Sequence, residues 1–272
     1  MPSSRHVRMT RTAISPRLAI RTRENGGMAS YGYKIWDVRR HAELDSTNRL
    51  AADLARAGAP EGVVVVADHQ TAGRGRLGRT WEAPPGSSLL MTVVLRPALD
   101  AGRLHLATMA VALAAADACA DVAGFAPELK WPNDLVVHDR KLAGILAEAG
   151  FEGNAPRWVV VGIGLNVNWP AELPAELSGI AVAANHLAGR DVDRELLLAQ
   201  LLEGLANRCS SLDAVAEDYR RRCRTIGRDV RVELSGETLR GRAVDVDDAG
   251  HLVVDTGDNV RVVAAGDVVH LR

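Results

Sequence analysis

The stretch GVVVVADHQTAGRGRLGRTWEAPPGSSLLMTVVL (62–95) holds two apolar runs, GVVVVAD (62–68) and SLLMTVVL (88–95), on either side of a segment of glycine and arginine. Runs rich in β-branched residues and bounded by turn formers predict strands. Between them, QTAGRGRLGRTW (70–81) places glycines at 73, 75 and 78 and arginines at 74, 76 and 79, and Pro84-Pro85-Gly86 supplies a turn. Glycine frees the backbone, and guanidinium forks make charge-assisted, often bidentate bonds to phosphate oxygens. The GKS or GKT ending of a Walker loop is missing, and the context of a dinucleotide-binding Gly-x-Gly-x-x-Gly is not met. As a bare pattern, a phosphate cradle and a flexible basic or RNA-binding arginine–glycine segment both fit.

Upstream, STNRLAADLARAG (46–58) opens on good N-cap residues and closes on Gly58, which predicts a short helix with Leu50 and Leu54 on one face. Downstream, residues 103–122 read as a long helix; the apolar stretch Leu106–Ala116 stops at Asp117, short of the ~18 residues of a membrane span. Three further strands are expected around 128–138, 141–149 and 157–163, then two helices at about 193–206 and 211–223. After Thr225 short β runs alternate with turn residues, which reads as a small β-barrel. That unit is marginal alone and should pack on the larger one. The chain thus reads as an α+β core with an all-β cap. Residues 1–30 carry six arginines against one acid, Glu24, so a disordered basic tail or a true start at Met28 both fit.

With 272 residues, 47% hydrophobic, 25% charged and a net charge of −1, the chain falls outside disordered, collagen-like and membrane classes and has no general affinity for nucleic acid. The cysteines, Cys119, Cys209 and Cys223, are odd in number and lack a Cys-x-x-Cys pair, so neither a disulfide framework nor a zinc site is indicated. A reducing, cytoplasmic setting follows. Only Lys34, Lys130 and Lys141 among the 33 basic residues are lysine. A compact ammonium fits small anion sites that a guanidinium does not.

LKWPNDLVVHDRKLAGILAE (129–148) puts Lys130, Asn133, Asp134 and Lys141 on two strand-like arms that a hairpin would bring together. Pro132 predicts a bend at the Asn-Asp pair. Asp134 is either a turn cap or a ligand-side carboxylate, and Lys141 either snorkels or acts. Gly144 marks a close approach, by ligand or by another strand. In VVVGIGLNVN (159–168), Gly162 and Gly164 admit a flat ligand or mark a β-bulge, and Asn166 reads a base edge or satisfies loop backbone.

Five ordered runs, STN (46–48), QTAGRGRLGRTW (70–81), KWPNDL (130–135), KLAGIL (141–146) and GIGLNVN (162–168), resemble the biotin protein ligases, also called biotin–[acetyl-CoA-carboxylase] ligases. The likeness runs from about Asp45 to Arg272, and the family's Gly-Arg-Gly-Arg-x-Gly-Arg-x-Trp loop is intact. It implies an α+β fold with a biotin ligase/lipoate ligase-type catalytic core, a class II aminoacyl-tRNA synthetase-like mixed sheet with flanking helices, and a small C-terminal Src-homology-3-like β-barrel. The implied division is residues 1–30 as tail, 31–224 as catalytic domain and 225–272 as barrel.

The resemblance also implies a two-step reaction: biotin and ATP give biotinyl-5′-AMP and pyrophosphate, then a lysine of a carrier domain takes the biotin. Ser46, Thr47, Asn48, Gln70, Gly144 and Gly162, together with Arg74, Gly75, Arg76 and Lys141, are then expected around biotin. Arg74, Gly75 and Arg76 would enclose the adenylate and Lys141 would lie between carboxylate and α-phosphate. Gly73, Arg79, Trp81, Asn133 and Asn166 match nucleotide contacts, and Asp134 would orient Lys141 or the incoming amine. Lys141, Arg74, Arg76 and Asp134 are the catalytic candidates. Magnesium is expected with ATP, without a nameable protein ligand. The implied partner is the biotin carboxyl carrier domain of an acyl-CoA carboxylase, a separate chain, with no specific DNA binding, no membrane association and a homodimer left open. A ligase that doubles as biotin-operon repressor would need a helix-turn-helix pair, absent from the roughly 40 residues before Asp45. A lipoate-type adenylating ligase is the other alternative.

Overall fold

A computed structural model describes residues 20–22, 36–97, 99–173, 175–209, 212–234 and 236–271. The chain runs β1 (Ile20–Thr22), β2 (Trp36–Leu44), α1 (Thr47–Arg56), β3 (Val63–Gln70), β4 (Ser88–Leu95), α2 (His105–Ala123), β5 (Glu128–Lys130), β6 (Asp134–Val137), β7 (Arg140–Glu152) and β8 (Ala155–Asn166). Two short helices, α3 (Ala175–Ser178) and α4 (Ala184–Ala188), precede α5 (Arg194–Cys209) and α6 (Leu212–Arg222). Five strands close the chain: β9 (Asp229–Glu233), β10 (Thr238–Val246), β11 (Leu252–Asp255), β12 (Val260–Val263) and β13 (Asp267–His270).

The first eight strands form one mixed sheet in the order β1-β2-β3-β4-β8-β7-β6-β5, parallel at its β1-β2-β3 end and antiparallel elsewhere. β4 lies in its middle with every residue buried, as its uninterrupted apolar run requires. Ala51, Ala52 and Ala55 of α1 cover one face, against Val63, Val65, Val94 and Val160. The other face carries the main core, built on α2, which is apolar on all sides and therefore central. The helical stretch Ala101–Ala123 is long and apolar enough to cross a membrane once Asp117 is allowed within it, and 78% of its apolar window is buried inside the fold. Gly124, left-handed at φ 81, ends it.

The last five strands make an antiparallel sheet in the order β12-β11-β10-β9-β13. Its buried residues, among them Val230, Val232, Val246 and Val254, are continuous with the main core. Trp131 stitches the seam: its indole N–H donates to the Gly250 carbonyl at 3.0 Å and its backbone N–H to Thr225 Oγ1 at 3.0 Å.

Several expectations change. The segment 128–138 is two strands, because Trp131, Pro132 and Asn133 form a turn between β5 and β6. The run NVRVVAAGDVVHL likewise divides into β12 and β13. β2 has no counterpart among the expected elements: WDVRRHAEL buries Trp36 and Val38, half-buries Leu44 and fills the remaining positions with polar or exposed groups. Within the segment read as a tail, Ile20–Thr22 pairs in parallel with Trp36–Val38; the rest of 1–30 lies outside the described residues.

Candidate active site

The sequence around Asp45 turns the chain from β2 into α1 and drops three polar residues into the interior. Ser46, Thr47 and Asn48 are all buried. Ser46 occupies the N-cap position with extended backbone, yet makes no side-chain cap bond, so this run of hydroxyl and amide groups serves the cleft rather than the helix end. Thr47 donates to Gln70 Oε1 from its backbone N–H at 2.7 Å and from its hydroxyl at 3.0 Å. Thr92 Oγ1, fully buried on β4, lies 2.8 Å from both Thr47 Oγ1 and Asn48 Oδ1. The Asn48 amide donates to the Leu146 carbonyl at 3.1 Å and to Glu148 Oε2 at 3.0 Å. Gly162 leaves room for it: a Cβ there would sit 1.8 Å from Asn48 Oδ1.

The glycine–arginine loop folds back on itself, with Trp81 N–H bonded to Gly73 O at 3.0 Å and Gly75 N–H to Arg79 O at 2.7 Å. A Cβ on Gly73 would meet Trp81 O at 2.2 Å, so that residue is required for the return of the chain. At the tip, Leu77 adopts left-handed backbone at φ 56 and stands 71% exposed. The three arginines part company. Arg74 pairs with Glu148 at 3.1 Å, Arg79 pairs with Asp267 at the start of β13, and Arg76 donates to Asn133 Oδ1 at 3.1 Å and to the Gly266 carbonyl at 3.3 Å.

Opposite the loop, the β6–β7 pair carries Lys141, whose Nζ lies 2.8 Å from Asp134 Oδ1 and 5.6 Å from the centroid of the Trp81 ring. Gly144 and Gly164 face each other across β7 and β8, and the Trp81 indole lies against them. A Cβ on Gly164 would fall 2.4 Å from that ring, and one on Gly144 within 3.0 Å of both the ring and Lys141 Nζ. The flat group these glycines admit is therefore Trp81 itself, and no bulge is involved, since β8 stays in register with β4 from Leu95↔Val159 to Ser88↔Asn166. Asn133 clasps β7 in both directions, donating from Nδ2 to Ile145 O at 2.7 Å and accepting from Ile145 N–H at 2.9 Å.

Every expected site residue except Gly73 and Asn166 lines one cleft. Asn166 lies behind it, buried, with Nδ2 donating to Val182 O at 3.1 Å and Oδ1 without a partner among the described residues; it borders a second cavity of about 350 Å³ beyond Trp81 and Lys141. A third cavity, of about 420 Å³, lies on the other side of Arg74, Gly75 and Arg76. Sequence reasoning missed Thr92, Glu148, Gly164 and Asp267. Gly164, legible as a glycine that admits a flat group, takes Trp81, while Thr92 and Asp267 sit in strands whose local pattern reads as packing alone.

Charge in the cleft is nearly balanced. Lys141, Arg74 and Arg79 each hold a carboxylate, whereas the Arg76 side chain meets neutral acceptors. Burial pulls the Arg76 pKa below its ordinary value, partly offset by Asp267 and Asp134. An entering anion would relieve this cation most. Among the described residues no group of three or more His, Cys, Asp or Glu is gathered for a metal.

The biotin/lipoate A/B protein ligase family model matches residues 42–166, and the biotin protein ligase C-terminal domain model matches 225–271. The biotin–[acetyl-CoA-carboxylase] ligase of Mycobacterium tuberculosis is 40% identical over 90% of this chain and 92% of its own length. The bifunctional ligase/repressor BirA of Bacillus subtilis is 33% identical over 84% of this chain and 72% of its own. The biotin protein ligase from Aquifex aeolicus, solved in complex with biotin and ATP, superimposes with a TM-score of 0.74 at 26% identity, covering 86% of this chain and 98% of that one. On these matches, the chain belongs to the biotin protein ligase family.

Proposed function

We infer that this chain activates biotin with ATP and transfers it to a lysine of a carboxylase carrier domain. The observation that carries the reading is the meeting, in one cleft, of a buried hydroxyl and amide floor with the ammonium of Lys141 and the guanidinium of Arg76. The floor suits a ureido ring, which needs both donors and acceptors; the cations suit a carboxylate and a phosphate brought together. In the first step the biotin carboxylate attacks the α-phosphorus and pyrophosphate leaves. Lys141 screens the repulsion between the two anions, and Asp134 keeps its amine oriented. Lys141 serves here as a fixed charge beside the reacting anions. In the second step the carrier amine attacks the activated carbonyl, and AMP leaves.

The cleft volume, about 110 Å³, is below the roughly 300 Å³ and upward of small-molecule sites. The cleft shares Arg74, Gly75 and Arg76 with the cavity of about 420 Å³ and Trp81 and Lys141 with the one of about 350 Å³, whose walls of Trp81, Trp169 and Leu177 suit the base. Magnesium fits as a companion of the phosphates: the carboxylates lining the cleft, Asp134 and Asp267, are each paired with a cation. It would neutralise phosphate charge. The edge of β7 beyond Ile145 pairs with β8 on one side only among the described strands, which supports docking of a carrier or of a second copy there. We also read the division at residues 30 and 224, a Src-homology-3-like closure of the small sheet, a class II synthetase-like core and a cytoplasmic setting as parts of this proposal.

Incubation with biotin, Mg-ATP and a carboxylase carrier domain, followed by intact mass of the carrier, tests the reading. One added biotin is expected; an unmodified carrier overturns it. A ligase that also represses transcription is favoured by the Bacillus relative, although the mycobacterial ligase is matched over more of its length. No retardation of operator DNA is expected. Pyrophosphate exchange driven by lipoate and not biotin would select the lipoate-type alternative.

A further inference from the structure

Glu148 stands where an acidic group is least welcome, beside a cleft read above as a site for two anions. Its carboxylate divides between two partners on different elements: Oε2 accepts from the Asn48 amide at 3.0 Å, and Oε1 lies 3.1 Å from Arg74 Nη2, with Arg74 Nη1 3.5 Å from Oε2. Asn48 is fixed from three directions, by Thr92, by the Leu146 carbonyl and by the bare Cα of Gly162. Arg74, by contrast, belongs to a loop joined to the rest of the fold largely through side chains.

We propose that Glu148 is a positioning residue that fixes Arg74, and with it the glycine–arginine loop, to the Ser46–Asn48 floor. This rests on the reading of the cleft as a biotin and adenylate site. A carboxylate beside anions is repulsive unless a cation neutralises it, and here the neutralising cation belongs to the loop. The two roles of the loop are thereby divided: Arg74 anchors, while Arg76, held by neutral acceptors, supplies charge to the ligand. A half-exposed ion pair of this kind adds little to global stability, so its effect should appear in loop motion and ligand retention rather than in melting.

The test compares the wild-type protein, Glu148→Gln, Arg74→Ala and the double variant. Amide hydrogen exchange of residues 73–80 without ligand should accelerate about threefold in each single variant and no further in the double one, with exchange in Leu89–Val94 and the melting temperature unchanged. Glu148→Gln keeps an oxygen for Asn48 but removes the charge that holds Arg74. Release of preformed biotinyl-5′-AMP should quicken by the same factor, with the KM for biotin less affected. Wild-type loop exchange in Glu148→Gln, unchanged exchange in Arg74→Ala, or effects that multiply in the double variant would overturn the proposal. Should the wild-type protein form no biotinyl-5′-AMP, the functional reading fails while the exchange experiment still decides the role of Glu148.

Discussion

Replacing Lys141 by alanine should leave the fold intact, because the side chain is half-exposed and its ion pair with Asp134 lies at the cleft. Biotin-dependent adenylate formation should nevertheless fall by about 10²–10³, the typical cost of removing one preorganised charge partner, with the melting temperature unchanged; near-normal turnover would refute the role. Gly162→Ala should act differently. Its methyl would collide with Asn48 Oδ1, so the floor must shift; we expect about 1–3 kcal/mol of lost stability and weaker biotin binding, measured by thermal unfolding and calorimetry. These residues were legible because their chemistry is locally odd: a rare lysine, and glycines inside a strand. Asn166 shows the limit of that reasoning. Its Nδ2 donates to the Val182 and Lys141 carbonyls while its Oδ1 has no partner among the described residues, so the backbone and nucleotide readings both stand.

At the scale of elements, β4 was legible to the residue, since a strand buried on both faces announces itself by an unbroken apolar run. β2 was not. With only Trp36 and Val38 buried and Arg39 and Arg40 following them, its strand character comes from the neighbours that pair with it in parallel. The arginine loop was legible as a composition but not as a set of roles, which depend on Glu148, Asn133, Gly266 and Asp267, drawn from sequence positions up to 190 residues away. Arg76→Ala should chiefly weaken retention of the intermediate. We expect free biotinyl-5′-AMP to be released about tenfold faster in a chase experiment, and unchanged release would count against the cradle.

For the whole molecule, the seam between the two sheets carries a pH dependence. His270 meets Thr225 Oγ1 at 3.1 Å, and burial, aided by Lys130, brings its pKa down to about 4. In the unfolded chain the imidazole titrates near its ordinary 6.5. Between these values the unfolded state binds a proton that the native state refuses, so stability is complete above about pH 6.5 and declines as the pH falls toward 4. His105, edge-on to His251 across the same seam, is shifted downward too, first by burial and then by His251. Melting temperatures recorded from pH 7.5 to 4.5 should therefore fall, and His270→Gln should flatten the decline; an identical slope in the variant would remove His270 from the account.

Asp267 lines the cleft and the Gly266 carbonyl just ahead of it holds Arg76, although both belong to the C-terminal module. Chimeras that graft the final module of a distant relative onto this core must therefore preserve an acid at the opening of the last strand, together with the main-chain turn ahead of it. A graft chosen for solubility or packing alone would yield a well-folded hybrid with a slack catalytic loop.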